Sequence, residues 1–128
     1  MNLLLDTHVA LWALIDSPKL PSAARALIAD SRNSVWVSAV SVWEIAIKHS
    51  LKRTDMPISG VEALAHFRNA GYSLLDVSPD HAAAIETLAP HHADPFDRLL
   101  VAQALIEPLR LVTHDVTVAL YSDAIIAV

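Results

Sequence analysis

Asp94 and Asp97 stand three residues apart in the stretch His92-Ala93-Asp94-Pro95-Phe96-Asp97-Arg98-Leu99-Leu100-Val101-Ala102-Gln103-Ala104, at the head of an otherwise apolar segment. Residues at that spacing share a helical face, so both carboxylates leave the same end of one helix, and the positive pole of the helix dipole favours an anion there. Each acid alone has a structural account: Asp94 is a favourable N-cap ahead of Pro95 at the first helical position, and Asp97 is a first-turn acid. Chemistry enters when further acids join them. Asp6 ends the apolar run Leu3-Leu4-Leu5, Asp115 closely follows Leu109-Arg110-Leu111-Val112-Thr113, and Glu44 sits in Ser41-Val42-Trp43-Glu44. Four converging carboxylates raise one another's pKa values until some are neutral, unless a cation offsets the charge. Mg²⁺ or Mn²⁺ suits an all-oxygen set, makes its bound water a stronger nucleophile and stabilises charge developing on a phosphoryl oxygen. The reaction such a set supports is phosphodiester hydrolysis.

Other accounts of these residues stay open on spacing alone. Asp6 can cap the following helix with Thr7 as a companion, although an acid ending a buried strand is costly without a partner. Ser41 to Glu44 matches a capping box, and Glu44 with Lys48 is a favourable i, i+4 ion pair. Asp115 can cap the short helix that follows it, and Thr113 can be an ordinary strand residue.

The elements that must position these acids alternate. Short apolar strands are expected at Leu3-Leu4-Leu5, Val35-Trp36-Val37, residues 73–77, 109–113 and 125–128. Between them fall helices at about 8–15, 22–29, 38–51, 59–69, 78–88 and 94–107, with a short one at 115–120. In the 38–51 helix the inner stripe reads as Val40, Trp43, Ile47 and Leu51. Alternation of this kind predicts an α/β fold, a sandwich on a largely parallel sheet with right-handed crossovers. Ligands bind such sheets beyond the carboxyl ends of the strands, near the point where strand order reverses, and Asp6 and Asp115 belong at that edge.

Composition narrows the class. At 128 residues the chain reads as one domain, 1–128, able to bury roughly two thirds of its unfolded surface. Apolar residues make up 54%, and only two glycines are present, so little disorder is expected. No stretch approaches a membrane span and no basic leader precedes the first apolar run, which makes a cytoplasmic location the expectation. The absence of cysteine removes thiolate metal sites and thiol nucleophiles. A net charge of −5 argues against broad, nonspecific nucleic-acid binding while leaving a local basic patch open.

Asp6, the segment Ser41-Val42-Trp43-Glu44-Ile45-Ala46-Ile47-Lys48, the His92–Ala104 stretch and Thr113-His114-Asp115 together resemble the PIN domain, in the branch of small bacterial VapC-type toxins of toxin–antitoxin pairs. The resemblance spans essentially the whole chain, and Asp-Pro-Phe-Asp-Arg-Leu-Leu is its most specific part. It implies a three-layer α/β/α sandwich on a five-stranded, mainly parallel sheet, an Mg²⁺- or Mn²⁺-dependent endoribonuclease, and inhibition by a small VapB-like antitoxin. The family's acids fall on Asp6, Glu44, Asp97 and Asp115, with no departure at any of them. Asp94 and Thr7 are expected as supporting residues, and Thr113 as a hydroxyl that holds a water.

The remaining polar residues are read against that expectation. The seven histidines show no HExxH-like pairing, and His92 and His114 fall where they would line the site. Lys48, Lys52 and Arg53 read as a solvated helix end or as a contact to the RNA backbone. Arg98 pairs with an acid or touches RNA. Trp12, Trp36 and Trp43 are expected in the core or at a subunit interface. So apolar a small chain suggests a surface hidden by a second copy or an antitoxin. Two rival functions are a non-catalytic binding module, which predicts indifference to Mg²⁺, and a small-molecule phosphoryl-transfer domain. The second is disfavoured because Asp6-Thr7-His8 lacks a second acid two residues on and no lysine follows a late strand.

Overall fold

The computed structural model describes residues 1–128. Its elements are β1 (Asn2–Leu5), α1 (Thr7–Leu14), α2 (Ser22–Ala29), β2 (Ser34–Ser38), α3 (Ala39–Ser50), α4 (Gly60–Asn69), β3 (Ser73–Leu75), α5 (Pro79–Ala84), α6 (Pro95–Ile106), β4 (Arg110–Thr113) and β5 (Ile126–Ala127). Single turns of 3₁₀ helix follow α5 at Ile85–Thr87 and precede β5 at Val118–Tyr121. All strand pairs are parallel, in the order β3-β2-β1-β4-β5. The chain winds outward from β1 to β3, then crosses back to lay β4 on the other side of β1. The reversal of strand order therefore lies between β1 and β4, and the two are stitched beyond the ladder by Asp6 N–H donating to the Val112 carbonyl at 3.0 Å.

Alternation along β1 divides the core between the two faces of the sheet. Leu3 and Leu5 join Val9, Leu11, Ile45, Met56 and Phe67 under α1, α2, α3 and α4, while Leu4 joins Val40, Leu100, Val101, Leu111 and Val118 on the α6 side. Gly60 lets the start of α4 lie against α3, since a Cβ there would stand 2.6 Å from the Ala46 Cβ.

Several expected details differ. The inward residues of α3 are Val40, Ser41, Glu44 and Ile45, whereas Trp43 and Leu51 are exposed at 52% and 69%. The inward face carries a small polar contact to α1, Ser41 Oγ accepting the Thr7 hydroxyl, and Ser38, not Ser41, receives the Val40 N–H, so Ser41 to Glu44 is no capping box. The 78–88 helix breaks into 3₁₀ at Ile85. The third and fifth strands are shorter than the apolar runs that announced them, and the 115–120 helix is reduced to the Val118–Tyr121 turn.

Candidate active site

Each acid at the carboxyl edge is set by its local backbone. Asp6 follows β1 directly and caps α1, with Oδ1 accepting the Val9 N–H at 2.9 Å. Its Oδ2 accepts the Thr113 hydroxyl from β4, while Thr113 Oγ1 accepts the Asp115 N–H at 3.0 Å. Thr113 thus ties the two acids across the switch point. Thr7 supports from beneath, donating to Ser41 Oγ at 3.0 Å and so joining the starts of α1 and α3. Asp94 is the N-cap of α6, its Oδ1 accepting from Phe96 N–H at 2.8 Å and Asp97 N–H at 3.1 Å. Asp115 Oδ1 accepts the Thr117 N–H at 2.8 Å, which leaves Oδ2 directed at His92.

His92 is the residue whose role the sequence did not define. Its Nδ1 accepts the Asp94 N–H at 2.9 Å, so in the neutral ring the hydrogen sits on Nε2. Nε2 lies 3.1 Å from Asp115 Oδ2 and 3.2 Å from Asp97 Oδ2. One atom from each of His92, Asp97 and Asp115 lies within 4.8 Å of the other two, a grouping able to hold a metal ion. Tyr121, not singled out by sequence, anchors this loop by accepting the His92 N–H at 2.9 Å. Arg98 is half-buried and makes no ion pair with an acid: its guanidinium donates to the carbonyls of Ile85, Ala89 and His92 and to the Tyr121 hydroxyl.

Glu44 is 3% exposed on the inward face of α3. Lys48 Nζ donates to its Oε2, so the anticipated i, i+4 pair is present, with the ammonium itself mostly buried and 6.0 Å above the Phe96 ring. Glu44 Oε1 has no partner at all, one of two such buried side-chain atoms, the other being Trp36 Nε1. A buried carboxylate oxygen without a donor is expensive, and a cation beside it removes that cost.

The electrostatics point the same way. Burial raises the Asp97 carboxyl to about 7, with the charges of Asp94, Glu44 and Asp6 adding to the rise and His92 opposing it. Burial also raises Asp6, against the bonds from Thr113 and Val9. Asp115 carries some desolvation, but the Thr117 and Val118 N–H groups and His92 outweigh it and hold the acid below its ordinary value. The edge thus holds more negative charge than its donors satisfy.

The fold and this edge define a class. The family model of the PIN domain matches residues 3–122, and the chain belongs to the PIN domain family. Among particular proteins, it is 34% identical over 119 residues to Ribonuclease VapC22 of Mycobacterium tuberculosis, covering 89% of this chain and 87% of that one. Its fold is similar to VapBC2 from Rickettsia felis, solved bound to a DNA fragment from its promoter, with a TM-score of 0.68 at 17% identity over 100% of this chain and 98% of that one. VapBC-1 from nontypeable Haemophilus influenzae is similar at a TM-score of 0.66 and 16% identity, over 100% and 97% of the two chains.

Proposed function

We propose that this protein is a metal-dependent endoribonuclease, the toxin of a toxin–antitoxin pair, in which Asp6, Glu44, Asp97 and Asp115 hold one or more Mg²⁺ or Mn²⁺ ions. The observation that carries the reading is the orphaned Glu44 Oε1, buried within range of Asp97, whose carboxyl is itself pushed up by uncompensated charge. Family membership and the identity to a ribonuclease support the nuclease class. A bound divalent cation would neutralise the acids, activate a water and stabilise charge on the phosphoryl oxygens. The chain's own groups prepare that site. Thr113 fixes Asp6 Oδ2 and Lys48 fixes Glu44 Oε2. The Asp94 cap holds the first turn of α6, and with it Asp97, in place. His92 Nε2 stands between Asp97 and Asp115, within 3.2 Å and 3.1 Å of their Oδ2 atoms. Lys48 also keeps one positive charge at the edge, where the phosphate backbone of RNA would approach.

The same reading gives the protein a small VapB-like antitoxin as partner, a homodimeric state and a cytoplasmic setting. Exposed Trp43, Leu105, Ile106 and Leu120 support a covered surface. No helix is long and apolar enough to cross a membrane. Light scattering of the purified protein, alone and with the product of an adjacent small reading frame, tests the assembly: a strict monomer indifferent to that product would contradict it.

Incubation of cellular RNA with antitoxin-free protein tests the activity. Cuts in Mg²⁺ or Mn²⁺ that disappear with EDTA and in Asp97→Asn are expected; a folded protein that cuts nothing, or cuts equally in EDTA, would overturn the reading.

A further inference from the structure

Next to the acids, on the α1 side, lies a contiguous set of rings that the acid chemistry does not use. The half-buried Trp12 indole packs by one side on the core beneath α1. It is flanked by His8, with ring centroids 5.9 Å apart, and by His114, 5.7 Å away and nearly edge-on at 70°. His114 is itself fixed, its Nδ1 lying 2.6 Å from the Val128 carbonyl.

Two clefts of about 340 Å³ each meet at this indole. One is lined by Asp6, His8, Trp12, His114 and Asp115, and so opens directly onto two of the acids. The other shares His8 and Trp12 and continues past Ser17 to Lys19 and Asp55. His8 and Trp12 wall both clefts, so the carboxylates lie on one side of this ring pair and the exposed Lys19 on the other. The wall beside the acids is aromatic where a groove for backbone contacts alone would be lined with cations. An indole made rigid by core packing offers a flat π-face at little entropic cost, and every nucleobase has a face to match it.

We propose that Trp12, held between His8 and His114, is the stacking platform for the nucleobase adjoining the phosphodiester at the acids, with Lys19 placed for the next phosphate along the strand. The proposal rests on the nuclease reading and adds how the strand is gripped. Trp12 is here a positioning residue for substrate, so its loss acts on KM before kcat.

The test uses the full-length protein with Mg²⁺ and an oligoribonucleotide spanning a mapped cleavage site, in which one nucleotide at a time is replaced by an abasic ribose. In the unaltered protein, one abasic position next to the cut should raise KM about tenfold. In Trp12→Ala the intact substrate should show that higher KM, and the abasic penalty should vanish. Trp12→Phe should restore most of both, and His114→Ala, at an exposed position, should give a smaller change of the same kind. Lys19→Ala should raise KM for every substrate alike. If Trp12→Ala lowers the melting temperature too far for assay, Trp12→Leu and His114→Ala carry the comparison. Equal abasic penalties in the unaltered protein and in the Trp12→Ala or Trp12→Leu and His114→Ala variants would overturn the platform while leaving the nuclease intact. Failure of the unaltered protein to cut any RNA would overturn the nuclease reading and the platform with it.

Discussion

Two histidines in this fold are held in the same way and face different surroundings. His81 on α5 and His92 before α6 each accept a backbone N–H at Nδ1, from Ser78 and Asp94 respectively, each at 2.9 Å. Each therefore presents Nε2 to acids. His81 meets one carboxylate, Glu107, at 2.6 Å. It sits beside a closed polar network, in which Gln103 accepts the Ser38 hydroxyl and donates to the Asp76 carbonyl. His92 meets two carboxylates, with Asp6 and Glu44 close enough to raise the Asp97 carboxyl further. In the first region donors and acceptors match, as buried polar groups require for stability. In the second they do not, and an acceptor is left unpaired. The device is common to both; the excess of carboxylate is what separates the two regions, and it is the charge that the proposed cation would offset.

The contrast breaks most sharply at Asp97. Asp97→Asn should lower RNA cleavage by about a hundredfold or more without unfolding the protein, as gel assays and circular dichroism would show. The matched network should respond in the opposite sense. Gln103→Leu strands the Ser38 hydroxyl and the Asp76 carbonyl and should cost about 2 kcal/mol, read as a melting point lower by several degrees, with cleavage per folded molecule nearly unchanged.

A pH series sharpens the comparison. The Asp97 carboxyl lies at about 7 when folded, against an ordinary value of 3.8. Between those values the folded state keeps a proton that the unfolded state has released, so stability falls as pH rises through that window. Asp6 is shifted in the same sense and Asp115 in the other. The informative quantity is therefore the difference between variants. In EDTA the unaltered protein should lose about 1–2 kcal/mol more than Asp97→Asn between pH 5 and pH 7.5, measurable by urea unfolding. Smallest, Tyr121→Phe removes the acceptor of the His92 and Arg98 N–H groups and should cost about 1 kcal/mol, with a modest loss of activity as the loop loosens.

What was legible in the sequence follows from the range of each interaction. The Asp94 cap, the Pro95 start and the Glu44–Lys48 pair are made within four residues, and spacing alone reports them. The placement of Asp6 and Asp115 at one edge follows from buried strands ending in acids, because a parallel sheet sets all its carboxyl ends on one side. The inward face of α3 was misread because apolar spacing selects Trp43, while the face that packs on α1 is built from small and polar groups, Ser41 and Glu44, whose partners lie elsewhere in the chain. The roles of His92 and Arg98 were not legible for the same reason: Asp115 and Tyr121 are separated from them by more than twenty residues of chain, and no local pattern marks the pairing.

The most direct test of the account is a Mn²⁺ titration of the metal-free protein at pH 7.5, followed by calorimetry and by the shift in melting temperature. Unaltered protein and Gln103→Leu should both bind the ion and gain stability, whereas Asp97→Asn and Glu44→Gln should bind it at least tenfold more weakly. Equal binding by all four would contradict the claim that the unmatched carboxylates are the site.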